Sequence, residues 1–113
     1  MHELAICESL LGVIEEQAEA QNFRHVRHVR LEIGPFSGVE TEALRFSFDV
    51  VAKGSIAEGA ELEIIVPEGR AWCFACNTTV TLTDRLAGCP LCGGASLQIT
   101  GGKELRIRDL EVE

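Results

Sequence analysis

Two Cys-x-x-Cys pairs, Cys73-Phe74-Ala75-Cys76 and Cys89-Pro90-Leu91-Cys92, stand with twelve residues between their inner cysteines. A C-x-x-C turn brings two sulfurs to one side of a tight knuckle. Two such knuckles supply the four thiolates of a closed tetrahedral Zn2+ site. Gly93 and Gly94 follow the second pair and let the chain turn away with backbone amides close to sulfur. A rubredoxin-like iron site shares this geometry, and a pair of disulfides would use the same residues. Four sulfurs leave no open coordination position, so the pattern predicts a metal that organises the chain and takes no part in catalysis.

The other metal-competent residues open the sequence, Met1-His2-Glu3. A histidine at position two places three nitrogens in adjacent chelate rings: the α-amine of Met1, the amide of His2 and its imidazole Nδ1. Such a set suits square-planar Ni2+ or Cu2+, and the amide or the carboxylate of Glu3 offers a fourth corner. The first amides of a helix have no intrahelical carbonyl partner and are free to serve elsewhere. On this chemistry alone, an exposed histidine near a frayed terminus explains His2 more simply. Cys7 lies one turn beyond Glu3 but among Ile6, Leu10 and Leu11, the setting of a small buried hydrophobe.

The chain around these residues has 113 residues, 46% of them hydrophobic, and a net charge of −8. That composition predicts one globular domain with room for a small metal-pinned lobe. It opposes nucleic-acid binding by bulk electrostatics. Between Ala71 and Ile99 the only basic residue is Arg85, beside Asp84. The one basic concentration is Arg24-His25-Val26-Arg27-His28-Val29-Arg30. It reads as a solvated strand entry whose arginines pair with nearby carboxylates, the alternative being a docking patch for an acidic partner. On a strand His25 and His28 point to opposite faces and cannot form one chelate. The start of the chain lacks the basic region of a secretory signal, no apolar run is long enough for a membrane span, and thiols in zinc spacing belong to a reducing compartment. The expected location is therefore cytoplasmic.

The elements that must position these groups follow from periodicity. Ile6, Leu10, Val13 and Ile14 predict a helix over 4–21. Val29, Leu31 and Ile33 alternate with charge as in a half-buried strand, which ends at Gly34-Pro35-Phe36-Ser37-Gly38. A second helix is expected over 40–53, with Leu44, Phe48 and Val51 as its stripe, and a second strand at Leu62, Ile64 and Val66. Alternating threonines at 78–83 suggest a hairpin arm between the knuckles. Leu110 and Val112 fall out of phase with Leu105 and Ile107, which predicts a bulge near Asp109. The expected fold is α+β: two helices on a small three-stranded sheet, with an inserted zinc-ribbon-like lobe. Residues 1–70, completed by a C-terminal strand at 100–113, would form the metal-carrying domain, and 71–99 the zinc-binding insertion.

Several of these features occur together over essentially the whole chain. They are Met1-His2-Glu3, the opening helix, Gly34 after an arginine-bearing strand, Phe46-Ser47-Phe48, the C-x2-C-x12-C-P-x-C-G block and Gly102-Lys103-Glu104-Leu105. In this order they resemble the HypA/HybF family of hydrogenase-maturation nickel metallochaperones. The resemblance implies Ni2+ cargo on the His2 side chain and on main-chain nitrogens of Met1, His2 and Glu3. It implies structural Zn2+ on Cys73, Cys76, Cys89 and Cys92. It further implies delivery to the hydrogenase large subunit with a HypB-type GTPase, and leaves urease maturation proteins as a second candidate system. Catalysis is not expected, because the chain has no nucleotide-binding glycine loop and no triad-like serine. The competing function is a zinc-ribbon interaction module without transferable metal, which would share the fold and ignore nickel.

Overall fold

Helix α1 (Glu3–Gln21) forms where Cys7, Leu10 and Ile14 recur at three- and four-residue steps and become its buried stripe. Val13, expected on that stripe, is 47% exposed, and Cys7 takes the buried position instead. The helix stops at Asn22, whose left-handed φ of 58° is a common helix terminator. Helix α2 (Thr41–Ala52) packs against α1 and buries Leu44, Phe48 and Ala52. Its N-terminus is capped from within, the Glu40 carboxylate accepting from the Glu42 amide at 3.1 Å.

The computed structural model describes residues 2–113, and six strands follow or separate the two helices. They are β1 (Val26–Ile33), β2 (Glu61–Ile65), β3 (Gly69–Cys73), β4 (Thr78–Leu82), β5 (Leu97–Gly101) and β6 (Leu105–Val112). They make two three-stranded sheets, ordered β2-β1-β6 and β4-β3-β5. The first is the expected three-stranded sheet. In β1, Val29, Leu31 and Ile33 are buried and alternate with the more accessible His28, Arg30 and Glu32, and Val26 at the strand's start is buried out of phase with them. Val66 falls outside β2 and is 56% exposed. Along β6 the half-buried positions run Leu105, Ile107, then Leu110, so the alternation changes phase at Arg108–Asp109.

The chain divides into two compact units. The first comprises 1–31, 39–64 and 107–113, and the second 32–38 and 65–106. The lobe expected over 71–99 lies within the second unit, which also takes in the Gly34–Gly38 turn and the 100–106 segment. In the first unit Ile14, Val26, Val29, Leu31, Leu44 and Phe48 are essentially inaccessible, each worth roughly 1.5–3 kcal/mol on burial. The second unit has a much smaller core, in which Phe36, Ala71, Val80 and Leu82 pack with Cys73 and Cys89. Phe74, Leu86 and Leu91, three of the few large apolar residues there, are 58%, 91% and 70% exposed. Burial alone is therefore a weak source of stability for this unit.

The expected hairpin between the knuckles is not what forms. A single strand, β4, lies between them, and its partner β3 precedes the first knuckle, in register from Gly69↔Leu82 to Cys73↔Thr78. The first knuckle is itself the hairpin loop, closed by the Asn77 amide donating to Cys73 O at 2.8 Å. Threonine alternation marked the strand but carried no information about which neighbour would pair with it.

In the second unit a close backbone crossing joins the Gly34 turn to the 102–104 segment. The Gly34 amide donates to Glu104 O at 2.7 Å and the Phe36 amide to Gly102 O at 2.6 Å. A Cβ at Gly34 would lie 2.1 Å from Gly102 O, and one at Gly102 (φ +118°) would lie 2.6 Å from the Phe36 ring. Only glycines permit this approach.

Candidate metal centres

Each knuckle aims backbone N–H groups at its own sulfurs. The Cys76 amide donates to Cys73 Sγ, the Leu91 amide to Cys89 Sγ and the Gly94 amide to Cys92 Sγ, each at 3.4 Å. Strand pairing places the first knuckle at the end of the β3–β4 hairpin. Bonds from Cys89 N to Gly94 O (2.9 Å) and from Gly93 N to Cys89 O (2.7 Å) close the second. The Phe74 amide donates to Ser96 O at 3.0 Å, tying the first knuckle to the chain leaving the second.

As a result all four sulfurs lie within 4.8 Å of one another. Cys73 and Cys92 are 3.8 Å apart and Cys76 and Cys89 3.9 Å. Tetrahedral coordination with Zn–S of ~2.3 Å requires S···S of about 3.8 Å. A disulfide requires about 2.05 Å, and all five cysteines are free thiols. Crowding divides their acidities. Cys76 is pushed up to about 12, chiefly by its hydrogen bond with Cys92 and then by burial. Cys89 is held down at about 7, chiefly because the Cys92 amide donates to it. Four adjacent thiolates need a cation to coexist, and a divalent thiophilic ion meets that need. The donor set fits Zn2+.

At the other end, Met1 and the ligand role expected of it lie outside the described residues. His2 is the exposed N-cap of α1: its carbonyl accepts from the Ile6 amide at 3.1 Å, and its imidazole makes no capping bond. Glu3 begins the helix, and its carboxylate accepts from the Glu40 amide at 3.3 Å. That bond first, and then the Glu3 amide, hold the carboxyl below the usual glutamate range. The Glu3 carboxylate thus already serves a contact across 37 residues, for which sequence patterning has no signal.

The remaining expected and excluded ligands stay apart. Cys7 is fully buried, and its Sγ donates to Leu44 O at 3.5 Å. Burial, and next the charge of Glu3, push its thiol up to about 11. His25 lies 3.9 Å from Glu113, whereas His28 sits between Glu61 (3.3 Å) and Glu63 (3.2 Å). Arg27 pairs with Glu113, and Arg30 with Glu63, Asp109 and Glu111, which is the solvated, carboxylate-paired strand entry expected from sequence. Among the described residues the cysteine cluster is the one group of three or more metal-competent side chains that converge.

Residues 1–112 match the protein family described as hydrogenase/urease nickel incorporation, metallochaperone, hypA. The hydrogenase maturation factor HypA of Xanthobacter autotrophicus is 60% identical over 112 residues, 99% of each chain, and that of Azorhizobium caulinodans 61% identical over the same share. The solution structure of the Ni metallochaperone HypA from Helicobacter pylori superposes with a TM-score of 0.71 over 99% of this chain and 97% of that one, at 24% identity. This fold, this cysteine cluster and this end-to-end similarity make the chain a member of the HypA family of nickel-incorporation metallochaperones.

Proposed function

We propose that this protein carries Ni2+ on the α-amine of Met1, the amide and imidazole of His2, and the amide nitrogen of Glu3. It hands that ion to the hydrogenase large subunit in cooperation with a HypB-type GTPase, and urease maturation proteins are a second candidate recipient. In this reading residues 1–70 with 100–113 form the nickel-carrying domain. Residues 71–99 hold structural Zn2+ on Cys73, Cys76, Cys89 and Cys92. The protein acts in the cytoplasm as a carrier and not as a catalyst.

One observation carries the choice of donors. At the head of α1 the His2 side chain is exposed and makes no capping bond, while the Glu3 carboxylate is occupied by the Glu40 amide. The carboxylate would have to break that bond to bind metal. The first-turn amides have no intrahelical acceptor to lose, so the amide of Glu3 is the cheaper fourth donor. An exposed, loosely held nitrogen set also lets an acceptor's ligands reach the metal before the donor's have left. Both the amine and the imidazole must shed a proton to coordinate, so binding weakens on acidification.

The test is nickel titration of zinc-loaded protein with its native first residue, compared with His2→Ala and with a form extended by two residues at the N-terminus. Extension turns the terminal amine into an amide. Both altered proteins should lose the square-planar nickel spectrum while keeping zinc and helicity. An extended protein that binds nickel with native affinity and spectrum overturns the terminal-amine site. A native protein that ignores nickel restores the interaction-module reading.

A further inference from the structure

Lys103 belongs to a segment, Gly102-Lys103-Glu104, to which neither metal centre assigns a role. It lines a cleft of about 480 Å³ in the second unit together with Arg70, Arg106, Glu32, Glu104 and Ile99. Three of the charges there are already answered. Arg106 Nη2 contacts Glu32 at 3.0 Å, and Glu104 accepts from the Gly102 amide. Arg70 and Lys103 have no carboxylate partner among the described residues, in a chain whose net charge is −8.

Arg70 is exposed on β3. Pairing with β5 shifts register beside it: Arg70 pairs with Gly101 and Ala71 with Ile99, which leaves Thr100 as an extra residue on β5. The guanidinium lies across Gly101: a Cβ there would be 2.6 Å from Nη2, 2.9 Å from Nε and 3.0 Å from Cζ. A flexible arginine has been laid flat on bare backbone without an internal anion to account for it. Along one side of the cleft runs β5, the end strand of β4-β3-β5. Its sequence, Leu97-Gln98-Ile99-Thr100-Gly101, lacks the charge or proline that commonly guards a free edge.

We infer that this cleft receives an acidic, extended segment of a partner protein, which pairs with the free edge of β5 and brings a carboxylate within reach of Arg70 and Lys103. Main-chain bonds to an edge strand supply affinity, and side-chain pockets beside it supply selectivity. A planar guanidinium can take a carboxylate with two parallel bonds.

The test uses the full-length, zinc-loaded, 15N-labelled protein and two peptides of equal length, one alternating Val and Glu, the other Val and Lys. The Val-Glu peptide should shift the amides of Leu97–Gly101 and Arg70 at millimolar concentration, and the Val-Lys peptide should not. The Arg70→Gln/Lys103→Gln double variant should bind at least ~10-fold more weakly, with zinc content and amide dispersion confirming intact folds. Failure of the acidic peptide to bind, equal response to both peptides, shifts confined to the β4 edge, or native affinity in the double variant each overturn the assignment. So does inorganic phosphate reproducing the shifts at Leu97 and Ile99, which would mark a small-anion site.

Discussion

The cysteine cluster and the head of α1 hold donor atoms in opposite ways. Three of the cysteine sulfurs accept backbone amides at 3.4 Å, both knuckles are closed by main-chain bonds, and all four sulfurs sit within 4.8 Å of one another. At the head of α1 the His2 side chain is exposed and uncapped, and it precedes the helix instead of lying inside it. The first arrangement draws its donors into one closed set of four and leaves little for an outside ligand to attack. The second leaves the imidazole unheld. Preorganisation separates an ion meant to stay from one meant to leave, and the two regions differ in preorganisation more than in donor strength.

The largest way to break this contrast is to open the closed site. Cys89→Ser or Cys76→Ser should weaken zinc binding by more than ~100-fold, beyond the loss that follows removal of outer-shell partners. It should also collapse the β4-β3-β5 sheet, because the small core of the second unit cannot hold it alone. Far-UV circular dichroism should still report α1 and α2. One zinc per chain retained by either variant would refute the four-cysteine site.

A smaller effect separates packing from metal within the second unit. Gly102→Ala places a methyl 2.6 Å from Phe36 at a φ of +118° and should cost about 2–3 kcal/mol in urea denaturation. Gly38 has φ +78° but open space around it, so Gly38→Ala should cost only ~1 kcal/mol. Zinc stoichiometry should stay native in both. Zinc loss in Gly102→Ala would mean that the backbone crossing, and not the knuckles alone, positions the sulfurs.

The smallest effect sharpens the other side. Glu3 is depressed in the folded state because the Glu40 amide donates to its carboxylate. Its contribution is therefore present above the usual glutamate range, near pH 4.3, and is lost as pH falls through the lower folded value. Glu3→Gln should be slightly less stable than the native protein at neutral pH, with the gap closing on acidification. Its nickel affinity should be unchanged if the donor is the amide. A large loss of nickel in Glu3→Gln would transfer the fourth corner to the carboxylate.

Legibility from sequence followed range. The C-x-x-C knuckles, the helices α1 and α2, the alternation of β1 and the phase change in β6 are written within a few residues of where they act, although Cys7 and Ala52 replace Val13 and Val51 on the buried helix stripes. The misread arm and the missed second sheet both concern partners. Thr78–Leu82 is a strand, but its pairing with β3 rather than within the arm follows from which segment the first knuckle folds back. Burial alternates along β3, but Ala71, Trp72 and Cys73 are consecutive apolar residues, so β3 and the second sheet had no local signature.

By itself, then, the sequence determined the chemistry on offer: four sulfurs in knuckle spacing, a histidine at position two, and helices and strands with definite apolar faces. Those properties depend on covalent neighbours and on periods of two and 3.6 residues. Tertiary structure decided their use. It spent the Glu3 carboxylate on Glu40, 37 residues away, crossed Gly34 against Gly102, and left Arg70 lying on Gly101 without an anion. Such contacts depend on close approach between distant segments, and no spacing in a single chain records which segments will meet.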